Sequence, residues 1–186
     1  MPMKYNLETK VIEKGRVMLR PLVKTDASFI LKLRSDSHNM RFVNMKIYEN
    51  LERAERFIDA VVNDITLGSI CFWGLGLVET KEMIGTVCLW NVSDDMSSAE
   101  IGYELLSEHQ GYGYMREAVE MVIEYAFTEL EFARIDAVTH KDHLSSLSLL
   151  SHLGFLYQGY VKNVFPESED EPDMIVYRLF RSKKWR

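Results

Sequence analysis

Three apolar, β-rich runs follow one another along this chain with connections too short to hold a helix: Ser69 to Val78, Met83 to Asn91 and Ala99 to Leu106. The first link, Glu79-Thr80-Lys81-Glu82, is a polar four-residue turn, and Ser93-Asp94-Asp95 makes the second. Strands joined so tightly pair antiparallel, because a parallel pair needs a crossover of about a dozen residues or more. The runs therefore predict an antiparallel meander around which the remaining elements are arranged.

Elsewhere the apolar period is mostly helical. Val17 to Leu22 reads as a first strand closed by Pro21, and Thr25 as the N-cap of a helix running to about Asp36, with Phe29, Ile30 and Leu33 on one face. Ser35 to Tyr48 reads as a loop, and Asn50 as the cap of a second helix carrying Ala54, Phe57, Ile58, Val61 and Val62. After the meander, Ala118, Val119, Val122, Ile123, Ala126, Phe127 and Leu130 form the continuous stripe of a long helix. Ala133 to Thr139 is a short strand, and Leu144 to Leu153 a short helix ended by Gly154. Phe155 to Phe165 and Met174 to Phe180 are the last two strands. The order β, α, α, β, β, β, α, β, α, β, β contains one β-α-β crossover. It predicts an α/β (α+β) class: a mixed, mostly antiparallel sheet of about seven strands with about four helices on its faces.

A length of 186 residues suits one domain over 1–186, and 47% apolar with 27% charged residues is a globular balance. No stretch approaches ~18 uninterrupted apolar residues, so no membrane-spanning helix is expected. Met1 to Lys10 is polar and has no secretory h-region. Cys71 and Cys88 lie within apolar runs and read as buried free thiols of a reducing, cytoplasmic compartment. A net charge of −6 argues against general affinity for nucleic acid and is compatible with a cationic partner.

The chemistry concentrates where the third run of the meander meets the long helix: Ala99-Glu100-Ile101-Gly102-Tyr103-Glu104-Leu105-Leu106, then Gln110-Gly111-Tyr112-Gly113-Tyr114-Met115-Arg116. Two glycines spaced by one residue open a helix directly after a strand. Without a Cβ the backbone N–H groups can turn inward at the helix start and cradle a phosphate. The same pattern also serves a tight turn that needs glycine only for its dihedrals. A dinucleotide fingerprint is excluded by the missing third glycine, and a P-loop by the absence of Gly-Lys-Ser/Thr.

The run resembles motif A of the GNAT superfamily of N-acetyltransferases, Gln/Arg-x-x-Gly-x-Gly/Ala, with Gln110 first, Gly113 fourth and Met115 where Gly or Ala is usual. Glu100-Ile101-Gly102-Tyr103-Glu104-Leu105 is similar to the family's fourth strand, and Leu153-Gly154-Phe155 to the end of its motif B. The opening Leu19-Arg20-Pro21-Leu22 resembles the branch of bacterial ribosomal-protein alanine/serine N-acetyltransferases. The resemblance implies that the family's fourth and fifth strands, here Ala99 to Leu106 and Ala133 to Thr139, splay apart. The pantetheine arm of acetyl-CoA would lie in the gap, with contacts from Leu105 and Leu106, and its pyrophosphate would meet the N–H groups of Gly111, Tyr112, Gly113, Tyr114 and Met115 at the start of the helix, beside Gln110 and Arg116. In motif B, His143 stands where Asn is usual and is implied as a pantetheine contact; Ser146 matches. Leu150 occupies the place of the tyrosine that many relatives use as general acid, so Ser146 is implied as the group that protonates the thiolate. Asn163 stands near the position where the branch often has a glutamate, and it is no base.

Acetyl transfer to an amine requires loss of the amine proton before attack, and a carboxylate at the cleft mouth suits that task. Strand period places Glu100, Gly102 and Glu104 on one face, which nominates Glu100 as the base, and sends Tyr103 to the opposite, core-facing side. His140 and His143 are two imidazoles without a further ligand pair, so no metal is expected, and either is an alternative base to Glu100. Glu167-Ser168-Glu169-Asp170-Glu171-Pro172-Asp173 is a solvated loop or an acidic lip for a cationic acceptor, and Arg41, Phe42 and Tyr48 are candidates for an opposite wall. The expected activity is direct transfer from acetyl-CoA to a primary amine of a basic peptide or protein N-terminus, by a possible homodimer. The alternatives are a polyamine, amino acid or aminoglycoside acceptor, or a non-catalytic acyl-CoA sensor.

Overall fold

The computed structural model describes residues 7–43, 45–161 and 174–182. Its strands are β1 (Ile12–Lys14), β2 (Val17–Arg20), β3 (Cys71–Leu77), β4 (Met83–Trp90), β5 (Ser98–Leu105), β6 (Arg134–His140), β7 (Leu156–Tyr160) and β8 (Met174–Phe180). Its helices are α1 (Ala27–Ser35), α2 (Ser37–Met40), α3 (Leu51–Thr66), α4 (Tyr114–Thr128) and α5 (Leu144–His152). One sheet has the order β1-β2-β3-β4-β5-β6-β8-β7, with every neighbouring pair antiparallel except β5 and β6. The meander is β3-β4-β5, and α4 makes the single crossover from β5 to β6.

Alternation along β3 divides the interior into two layers. Cys71, Trp73 and Leu75 join Val119, Ile123 and Phe127 of α4, with Leu150 of α5, in the larger core. Phe72 points the other way, to Ile30 of α1 and Ala54, Ile58 and Val61 of α3. Helix α3 begins where Asn50 Oδ1 accepts the Arg53 N–H at 3.0 Å, the side-chain cap expected of asparagine. No described helix is long and apolar enough to cross a membrane.

Several boundaries depart from expectation. The sheet has eight described strands because Ile12–Lys14 folds back on β2 through the two-residue turn Gly15-Arg16. The segment 35–48 is not all loop: Asp36 Oδ1 accepts the His38 N–H at 2.8 Å and starts the one-turn helix α2. Thr25 does not cap α1. It lies inside a 3₁₀ turn, Lys24–Asp26, where the Asp26 carboxylate accepts the Val23 N–H at 2.8 Å and takes both Arg20 guanidinium donors at 2.7 and 2.8 Å. An acid that is ionised and already fixed by arginine outcompetes a neutral hydroxyl for this turn. The first strand accordingly ends at Arg20 rather than Leu22. The expected strand over 155–165 is present as Leu156–Tyr160, while positions 162–165 and the acidic run 167–173 lie outside the described residues.

One ion pair joins the helical layer to the centre of the sheet. Arg34 of α1 donates from Nη2 and Nε to Glu104 Oε2 of β5 at 2.7 and 3.1 Å, with side-chain exposures of 8% and 16%. Tyr48 Oη accepts a third guanidinium N–H at 3.0 Å, and the Phe57 ring lies 3.9 Å beneath the guanidinium carbon. Burying both charges is costly, so removing one leaves the other stranded. Arg34→Ala is expected to lower the unfolding free energy by about 3–5 kcal/mol. Urea denaturation checks this, and a loss within the ~1 kcal/mol of an exposed pair would contradict it.

Candidate active site

Strands β5 and β6 are paired only at Ser98–Arg134, Ala99–Ile135 and Glu100–Asp136. Beyond Glu100, β5 stays with β4 as far as Leu105, and β6 stays with β8 as far as His140. Each strand keeps its outer ladder, so the inner edges part like the arms of a V. Backbone N–H and C=O groups along 101–105 on that inner edge lack a strand partner, and such groups need one when removed from water. A cavity of about 530 Å³ fills the gap. Tyr103, Glu104 and Leu105 border it from β5, Ser146 and Leu149 from α5, and Asn39 and Val43 from the far face of the sheet.

At its outer end the cavity meets the start of α4, along Gln110, Gly111, Gly113, Met115 and Arg116. Gly111 and Gly113 have φ of +83° and +84°, the left-handed region that other residues enter at a cost. No side chain caps α4. Its first-turn N–H groups are therefore left without a side-chain acceptor at the end of the helix that borders the cavity, the arrangement that suits a diphosphate. Arg16 braces this loop from behind. It donates to the Tyr112 carbonyl at 2.9 Å and to Glu117 Oε1 at 2.8 Å, and its guanidinium lies 4.7 Å from the Tyr114 ring centroid. Met115 does not crowd the loop, because its side chain enters the larger core and is only 8% exposed. A phosphate-cradling helix start at one end and an unpaired strand edge along the wall fit an extended thioester bearing a pantetheine and a diphosphate.

The candidates for proton transfer sit at the inner end. Glu100 stands on the last paired rung, at the apex of the V. Burial and the nearby Asp136 charge push its carboxyl up to about 7, against a 3.5 Å hydrogen bond from Asn91 that lowers it. Ser146 is 4% exposed, and its Oγ lies 2.8 Å from Tyr103 Oη. Burial pushes the Tyr103 phenol up to about 12, so it keeps its proton at neutral pH. Leu150, one turn further along α5, is buried and supplies no acid.

Not all of the nominated residues face the cavity. Leu106 is buried and its N–H donates to the Ile84 carbonyl at 2.9 Å, extending the β4 ladder rather than meeting a ligand. The side chains of Tyr112 and Tyr114 stack on each other, centroids 5.8 Å apart, and neither residue borders the cavity. Glu100 is at the apex but not on the cavity wall. His143 is on the wall. Its ring stacks on Phe42 at 4.6 Å, and burial, with Arg41 and His140, holds its pKa below the ordinary value. Gln110 donates to the Leu105 carbonyl at 3.1 Å, which shapes the turn before the cradle. Among the described residues no group of three His, Cys, Asp or Glu is placed to hold a metal. Both thiols, Cys71 and Cys88, are pushed up to about 12 by burial, which makes them poor nucleophiles.

Tyr103, Arg16 and Arg34 are the residues that sequence reasoning missed. Tyr103 was expected in the core by strand alternation, and it does pack there, but its hydroxyl reaches past the core to Ser146. Arg16 and Arg34 act across chain separations of 101 and 70 residues, which no local pattern signals. An L residue at a left-handed φ costs about 1–2 kcal/mol. Relief of that strain would turn the loop out of its left-handed conformation in the free protein, so Gly113→Ala is expected to weaken calorimetric binding of CoA roughly tenfold, and an unchanged dissociation constant would contradict the cradle.

Comparison with known proteins agrees with this geometry. The acetyltransferase (GNAT) domain model matches residues 16–156. An uncharacterized N-acetyltransferase, p20 of Bacillus licheniformis, is 33% identical over 150 residues, covering 80% of this chain and 83% of its own length. Among solved structures, a putative ribosomal-protein-serine acetyltransferase from Vibrio cholerae superposes with a TM-score of 0.82 at 22% identity, covering 94% of this chain and 99% of that one. Spermidine N-acetyltransferase from Vibrio cholerae, in complex with CoA and spermine, superposes with a TM-score of 0.79 at 22% identity, covering 93% and 100%. With the split between β5 and β6 and the glycine-opened helix between them, the chain belongs to the GNAT family of acetyl-CoA-dependent N-acetyltransferases.

Proposed function

We propose that the acceptor is the α-amine of a protein N-terminus and that transfer is direct, within a complex of both substrates. The observation that carries the acceptor class is the scarcity of negative charge around the cavity. Glu104 is the one carboxylate among its described lining residues, and Arg34 already neutralises it. A polyamine brings several ammonium groups and calls for several carboxylates. A single amine that reacts as the neutral base does not. An α-amine, with an ordinary pKa of ~7.7–8.0, also loses its proton far more readily than a lysine-like amine at ~10.4. The Vibrio cholerae ribosomal-protein-serine enzyme shares the fold and supports this reading. The spermidine enzyme shares the fold as well, and the acidic run 167–173 keeps a polycation as the second reading.

In this account acetyl-CoA supplies the activated acyl group, and the chain supplies position and proton traffic. The start of α4 holds the diphosphate, and the free inner edge of β5 orients the pantetheine, joined by the Leu105 and His143 walls. Glu100 takes the amine proton through a water. Its raised pKa matches the α-amine it must deprotonate. Ser146 Oγ gives a proton to the departing sulfur and recovers one from solvent as CoA leaves, while the Tyr103 phenol 2.8 Å away keeps its own proton and orients the hydroxyl. A thiol with an ordinary pKa of ~8.5 leaves with modest help, so this second transfer matters less than the first. The chain would act in the cytoplasm, where both acetyl-CoA and nascent N-termini occur.

A thiol-release screen tests the acceptor. Peptides with free N-termini are expected to be acetylated, their Nα-blocked forms inert and spermidine poor; a preference for spermidine would overturn the reading. The base has its own signature. Because Glu100 must be ionised, kcat/KM is expected to rise as pH passes about 7. Glu100→Gln should lose that limb and roughly 10²–10⁴-fold of kcat. A limb at about 7 that persists in the variant, distinct from the substrate amine's own at ~7.7–8.0, would move the base elsewhere. Ser146→Ala is expected to lower kcat by about tenfold with little change in KM.

A further inference from the structure

Glu104 uses its two carboxylate oxygens differently. Oε2 accepts from Arg34 Nη2 at 2.7 Å, from Arg34 Nε at 3.1 Å and from Thr86 Oγ1 at 3.2 Å. Oε1 is buried and has no partner, and Glu104 borders the cavity. Leaving a charged acceptor unmet in the interior is expensive. The three donors crowd onto one oxygen and hold the carboxylate rigid, so the other is presented to whatever enters.

Asn39 of α2 shows the opposite polarity. The Leu105 carbonyl can only accept, so Gln110 turns Nε2 towards it at 3.1 Å. The same Nε2 lies 3.2 Å from Asn39 Oδ1, which also stands 2.8 Å from Ser107 Oγ, a hydroxyl shared with Asp36 Oδ2 at 2.8 Å, so two donors converge on the amide oxygen. Asn39 Nδ2 is left buried with no partner, and Asn39 borders the same cavity. One free acceptor and one free donor thus belong to two residues of one cavity wall, each atom buried just beneath it. A protonated polyamine carries donors only and would leave Nδ2 unmet. The first residue of a peptide carries an amine and, two bonds away, its own carbonyl, and so can meet both.

We propose that Glu104 Oε1 and Asn39 Nδ2 are the pair that reads the acceptor's first residue, the carboxylate oxygen taking an N–H of the amine and the amide N–H binding that residue's carbonyl. The proposal rests on the protein N-terminus as acceptor and names the groups that select it. The rival donors for Oε1 are the amides of pantetheine. Position favours the acceptor: Glu104 lies on the face of β5 that looks to α1, whereas the α5 side of the cavity meets Tyr103 on the opposite face.

Two nearly isosteric variants invert one free atom each. Asn39→Asp keeps an oxygen for Gln110 and turns the free donor into a charged acceptor, at the cost of a second carboxylate on Ser107 beside Asp36. Glu104→Gln keeps an oxygen for Arg34 and turns the free acceptor into a donor. Each is expected to raise the KM of an N-terminal peptide roughly tenfold, the value of one lost hydrogen bond. Calorimetric affinity for CoA should stay within about twofold in both. Asn39→Asp should also shift preference from the peptide towards spermidine. A weakened CoA affinity with an unchanged peptide KM would assign the two atoms to pantetheine and overturn the proposal. Unchanged values for both ligands would make the pair purely structural and overturn it equally. The wild-type enzyme is assayed first: activity on spermidine with none on free peptide N-termini would defeat the acceptor class itself. Should Glu104→Gln fail to fold for want of a counter-charge to Arg34, Asn39→Asp breaks no ion pair and decides alone.

Discussion

Everything in this site depends on two parallel strands that stop pairing after three rungs. A parallel ladder that continued to Leu105 and His140 would satisfy every backbone group and leave no cavity. It is interrupted because each strand is held more extensively on its other side. β5 is in register with β4 over six positions, from Glu100 to Leu105, and β6 with β8 over seven, from Arg134 to His140. Side chains then wedge the inner edges. Glu104 is drawn to α1 by Arg34, and Tyr103 to α5 by Ser146, so successive residues of β5 are pinned to opposite faces of the sheet. The unpaired edge is the consequence, and an amide-bearing ligand of extended shape is its natural complement.

The split also determines how the two ends of the cavity differ. Outside, uncapped N–H groups and a helix dipole favour negative charge. Inside, a carboxyl pushed up to about 7 beside Asp136 favours the taking of protons. Under the proposed mechanism, anion recognition and base chemistry are thus separated along the length of β5, so that one ligand is gripped at one end and reacts at the other. Electrostatic cost is met locally at each place: Arg34 compensates Glu104 within the helical layer, and Arg178 binds Asp136 at 2.7 and 2.9 Å below the apex.

Much of this was legible in the residues. Short polar turns announced the β3-β4-β5 meander, Asn50 announced α3, and Gly111-Tyr112-Gly113 announced a helix start built on left-handed backbone. These are local signals, each carried by a few neighbouring residues. What stayed hidden is long-range or marginal. The short hairpin strand Ile12–Lys14 and the one-turn helix α2 have too few residues to show a period. Thr25 looked like a cap, yet Asp26 governs that turn through Arg20, a partner six residues away. Tyr103 combines a core ring with a hydroxyl that reaches Ser146, and alternation reports only the first. The Arg34–Glu104 pair couples residues 70 apart, so neither the free oxygen of Glu104 nor its orientation follows from any sequence window.

The most direct test is an amide NMR titration of the isotope-labelled protein with CoA. The account predicts the largest shifts at Gly111 to Arg116 and along Ile101 to Leu105, with the β1–β3 end of the sheet and the exposed side of α3 unmoved. Shifts that left Ile101 to Leu105 untouched, or that gathered on another face of the sheet, would show that the parted strands do not hold the ligand and would contradict the account at its root.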